Sequence, residues 1–71
     1  MKRNFADYVL YFAQERTTEG SLARLVKDDP AFPVRERDDK QVYTYLINAE
    51  RYAGYKEAII YLYHRYLVFC R

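Results

Sequence analysis

Large apolar side chains recur along this chain at the spacing of helix faces, in four separate blocks. Phe5, Tyr8, Val9 and Phe12 fall at i, i+3, i+4, i+7. Leu22, Leu25 and Val26 form a second block, Val42, Tyr45 and Leu46 a third, and Ile59, Leu62, Tyr63 and Tyr66 a fourth. Such spacing lays one apolar stripe on each of four amphipathic helices, and no segment alternates as a half-buried strand would. The pattern predicts an all-α fold, a compact four-helix bundle. A length of 71 residues leaves room for one core only, so residues 1–71 read as a single domain. A domain of this size buries roughly 60% of its unfolded-chain surface, so its core must be dense. Nine tyrosines and four phenylalanines supply that density, since each aromatic ring buries a large area and tyrosine keeps a polar tip.

Local signals mark the helix ends. Asn4 is an N-cap, with Asp7 favourably placed in the first turn, and helix one is expected to end near Arg16. Thr17 or Thr18 caps helix two, whose first turn Gly20 weakens by about 1 kcal/mol. Pro30 stops that helix, because proline disfavours helical geometry in the residue before it. Phe32, between Pro30 and Pro33, is expected to plug the core. Asp38 with Gln41 reads as a capping box opening helix three, which turns Val42, Tyr45, Leu46 and Ala49 inward. Gly54 is expected to give the turn into helix four, starting near Tyr55.

Helix four is apolar nearly all round. Tyr55, Ile59, Leu62, Tyr66 and Phe69 make its expected core stripe. Ile60, Tyr61, His64 and Val68 make a second stripe, and Tyr63, Leu67 and Cys70 a third. Such a helix is covered on several sides, and three short partners offer little cover. Tyr43 and Ile47 lie one turn apart on helix three, off its core face. Tyr43, Ile47, Ile60, Tyr61, His64 and Val68 are therefore the candidate contact set for a protein partner or a symmetric homodimer. The alternative, that the bundle buries them internally, stays open on the sequence.

The net charge of +2 is small. After residue 50, Arg51, Lys56, Arg65 and Arg71 face only Glu57. These four bases, with nearby tyrosines, are the candidates for the second reading, a nucleic-acid-binding domain. That reading requires them to converge on one face.

Catalytic and metal signatures are not found. Nucleophilic catalysis needs a nucleophile, a base within reach and an orienting group. Ser21 and His64 lie on different predicted helices, while His64 and Cys70 fall on different sides of helix four. One histidine and one cysteine do not make a zinc site. Asp28-Asp29 and Asp38-Asp39 lack calcium-loop spacing and read as helix-end residues. The expectation is a non-enzyme with no cofactor, no metal and no small-molecule substrate. Met1-Lys2-Arg3 resembles the start of a signal peptide, but Asp7 interrupts the apolar stretch and Gln14-Glu15-Arg16 replaces a cleavage site. The run from Ala58 to Cys70 is too short to span a bilayer. A lone cysteine suits a reducing compartment, so a cytoplasmic protein without a membrane partner is expected.

Leu25-Val26-Lys27-Asp28-Asp29-Pro30-Ala31-Phe32-Pro33, followed by Asp38, Val42 and Tyr45-Leu46, resembles the signature of the YozE-like family of small bacterial proteins. Phe5, Tyr8 and Val9 are similar to that family's aromatic first helix, and Tyr63, Tyr66 and Leu67 to its closing segment, where Tyr63 stands in place of the usual tryptophan. The resemblance implies a four-helix sterile-alpha-motif-like fold. It implies no established activity, although fold analogy suggests nucleic-acid binding, and analogy of that kind speaks to fold more than to function.

Overall fold

Three side-chain oxygens set where the first three helices begin. The computed structural model describes residues 4–69. Asn4 accepts the Asp7 N–H at 2.8 Å and opens α1, Phe5–Tyr11. Thr17 accepts the Gly20 N–H at 3.0 Å and opens α2, Thr18–Lys27. Asp38 accepts the Lys40 N–H at 3.0 Å and opens α3, Asp39–Asn48. Each cap satisfies an N–H with no partner inside its own helix. A fourth helix, α4, runs Lys56–Phe69. No strand occurs among the described residues.

Several boundaries differ from expectation. Helix one ends at Tyr11 rather than near Arg16, and Phe12–Gln14 tighten into a 3-10 turn. Arg24 fastens that turn to α2, donating from Nη1 to the carbonyls of Ala13 at 2.9 Å and Glu15 at 2.8 Å. Gly20 is buried against the same turn, where an added Cβ would sit 1.9 Å from the Glu15 carbonyl oxygen. What reads in the sequence as a propensity cost is a requirement of packing: only glycine lets the two backbones approach so closely. Gly54 is the reverse case. It lies inside a 3-10 segment, Glu50–Tyr55, without a left-handed backbone, and an added Cβ would meet nothing within 4 Å. The capping box at Asp38 is also rearranged, because Glu36 rather than Gln41 accepts the Asp38 N–H, at 3.0 Å.

Phe5, Val9, Leu22, Val26, Val42, Leu46, Ile59 and Leu62 are buried in one cluster. Phe32 enters it from the α2–α3 link. Leu25, expected in the core, packs against its edge, and so does Phe12. Phe69, placed by its spacing on the core stripe, is 72% exposed at the end of α4. Tyr52, in the 3-10 segment before α4, is the largest fully buried side chain. A second tie joins the helix starts, since the Phe5 N–H donates to Asp39 Oδ1 at 2.9 Å.

Candidate functional site

Two clusters of polar aromatic chemistry stand out, one inside the molecule and one outside. The inner one centres on Asp29, whose side chain is 3% exposed. Tyr45 Oη donates to Asp29 Oδ2 at 2.6 Å, Tyr52 Oη to the same oxygen at 2.8 Å, and the Ala31 N–H to Oδ1 at 3.0 Å. Arg51 Nη1 lies 3.0 Å from Oδ1, and its guanidinium sits over the Tyr52 ring. Burial pushes the Asp29 pKa up. The two phenols, the Ala31 N–H and the Arg51 charge more than offset that, and hold it below the ordinary aspartate value. The bond to Asp29 raises the Tyr45 pKa, with burial adding to it. Burial raises that of Tyr52, with the bond to Asp29 adding to it. This hub joins the α2–α3 link, α3 and the 3-10 segment. Asp29 does follow the C-cap of α2, as a helix-end residue is expected to, and beyond that position it anchors a structural staple.

The outer cluster lies on α4. Ala58, Ile59, Leu62 and Tyr66 point into the core. At about 100° per residue, Ile60, His64 and Val68 then face directly away from it, with Tyr61 beside them. Ile60 is 52% exposed, Tyr61 49% and Val68 60%, and His64 is exposed. The open question of internal core or outward face is thereby answered for these four.

Tyr43 and Ile47 stand apart from this face. Both are only partly exposed and pack against the core, and the Tyr43 ring stacks on Tyr63 at 4.4 Å between centroids. They do not extend the stripe, because α3 meets α4 on the Tyr63 shoulder.

The three described candidate bases, Arg51, Lys56 and Arg65, do not converge. Arg51 is paired with Asp29. Lys56 and Arg65 lie half a helix turn out of phase, on opposite borders of the exposed face. Arg71 and Cys70 lie outside the described residues. Arg65 instead organises the aromatic end of α4. It donates to Tyr61 Oη at 2.8 Å, and its guanidinium lies over the rings of Tyr61 and Phe69, at 5.7 and 5.5 Å. Hydrogen bonding to Tyr61, and less so to Tyr8, favours its charged form. Sequence reasoning set Arg65 among phosphate-binding candidates and missed this arrangement. The signal was the i, i+4 spacing of Tyr61, Arg65 and Phe69, which stacks neighbours along a helix.

Ser21 Oγ is 3.2 Å from Arg24 Nη2 and accepts its hydrogen bond. Among the described residues no group of three His, Cys, Asp or Glu side chains could hold a metal ion. No described helix is long and apolar enough to cross a membrane.

No curated protein and no solved structure matches the chain. A family model described as YozE SAM-like fold matches residues 4–68, a span that takes in α1 to α3, α4 up to its last residue, the Asp29 hub and the exposed stripe of α4. Signature segment, helical architecture and extent of the match agree: the chain belongs to the YozE SAM-like fold family.

Proposed function

We propose that this protein is a non-enzymatic helical interaction module that docks another protein on the outward face of α4. The observation that carries the reading is the exposure of Ile60, Tyr61 and Val68 along one side of a helix whose opposite side is buried at Ala58, Ile59, Leu62 and Tyr66. Covering what is still exposed of each aliphatic side chain there contributes about 1 kcal/mol, roughly half the value for full burial. Tyrosine and arginine are the residue types enriched where contacts carry most binding energy. The stacking of Arg65 on Tyr61 and Phe69 restrains these side chains before any partner arrives, which lowers the entropy cost of docking. One helix face is smaller than the standard interface of about 800 Å² per partner, so the contact is weak or transient.

The test is Ile60→Glu. Partners are captured, identified and reconstituted from purified components, and the variant should lose binding while keeping the parent's helical spectrum and cooperative melt. Undiminished binding of a reconstituted partner by Ile60→Glu would falsify the assignment of this face.

A further inference from the structure

The borders of the exposed face differ from its middle, and they indicate what kind of surface covers it. Lys56 and Arg65 lie on opposite borders of the Ile60, His64 and Val68 stripe. Glu57, the only acid on α4, falls on the exposed face itself, one turn before Ile60 and Tyr61. Arg65 donates to the Tyr61 hydroxyl, and no carboxylate pairs with it among the described residues. A guanidinium offers five N–H donors in a fork that suits a carboxylate. Tyr61 and, less strongly, Tyr8 engage part of this fork, and its plane is held by two rings.

Resting on the reading of α4 as a docking surface, we infer that its occupant is an amphipathic helix carrying carboxylates along both borders of its apolar stripe. The stripe receives the apolar side chains, while Lys56 and Arg65 each meet an acid at the rim. A second copy of this chain fits less well. An antiparallel pair centred on His64 matches Ile60 with Val68, but it brings the two Arg65 guanidiniums to the same border of the interface, where like charges repel. Bringing Glu57 of the other copy to Arg65 moves the centre to Tyr61 and slides Val68 past the start of the opposing helix. Neither register satisfies apolar and charged groups together.

The probes are two stapled helical peptides as long as α4, with the same leucine face, one bordered by glutamate and the other by lysine. Titration of the labelled chain is followed by amide chemical shifts. The glutamate peptide should perturb Ile60, Tyr61 and Val68 and bind at least about tenfold tighter than the lysine peptide. Its affinity should fall as salt is raised. Arg65→Glu should erase or invert the preference, with an unchanged helical spectrum as the control for folding. Equal affinity for the two peptides, or none for either, overturns the inference about the occupant. A dimer seen by sedimentation and lost in Ile60→Glu overturns it too, and makes the second copy the occupant. Glutamate-peptide binding that survives Ile60→Glu instead overturns the docking face itself.

Discussion

Arginine lies over tyrosine at two places in this molecule, with opposite outcomes. Arg51 covers the Tyr52 ring at 5.8 Å and Arg65 covers Tyr61 at 5.7 Å. At the first place a carboxylate, Asp29, takes both the cation and the phenol. The cluster closes on itself and binds three segments together. At the second place no carboxylate pairs with the cation among the described residues, and Arg65 is engaged by phenols on an open face. The same residue types serve cohesion in one region and presentation in the other, and a single buried acid makes the difference.

The comparison breaks first at Asp29. Asp29→Ala should destabilise by about 3–5 kcal/mol, because it strands two phenols and a cation around an emptied site. That approaches the whole stability of a small domain, so Asp29→Asn, which keeps one acceptor, provides the measurable intermediate in urea melts. A loss under about 1 kcal/mol in Asp29→Ala would show that the hub adds little cohesion.

Acid titration probes the same group without mutation. The folded Asp29 pKa lies below the ordinary value of 3.8, so its contribution is complete above that pH and disappears as pH falls through the folded value. Melting temperatures of the parent should therefore drop steeply below about pH 4, and those of Asp29→Asn should lack that component. Identical acid limbs would place the sensitivity elsewhere.

Matched hydroxyl deletions come next. Tyr52→Phe should cost about 1.5–3 kcal/mol, as it removes a buried hydrogen bond to a charged group. Tyr61→Phe, at an exposed position, should stay within about 0.5 kcal/mol. Equal losses would erase the distinction between the two regions.

The smallest effects concern the cations. Arg51→Ala should cost about 1 kcal/mol, since Asp29 keeps its other donors and Arg51 is nearly half exposed. Arg65→Ala should leave the melting temperature unchanged and act on binding alone. A stability loss at Arg65 would make the outer cluster part of the scaffold.

Much of this architecture was legible in the chain because its signals are local. Asn4 and Thr17 cap helices within three residues, Pro30 ends one, and Ile60, His64 and Val68 share a face by helical geometry alone. The Asp29 hub was not legible. Its partners Tyr45 and Tyr52 lie 16 and 23 residues away, and nothing in helical spacing announces a long-range hydrogen bond. Tyr52 escaped notice for a related reason: it sits in a 3-10 segment whose period differs from that of the helices. Tyr43 was misread because its environment depends on which shoulder of α4 meets α3. Periodicity reveals the faces of a helix but not which neighbour each face meets.

The bond from the Phe5 N–H to Asp39 gives the start of α1 an unusual property. The first amide of a helix has no partner within that helix and ordinarily exchanges with solvent deuterium as fast as a frayed end. Here its partner is 34 residues away, at the start of another helix. Deuterium uptake at Phe5 therefore reports the breaking of a tie between α1 and α3, so one amide serves as a clock for the loosening of that junction.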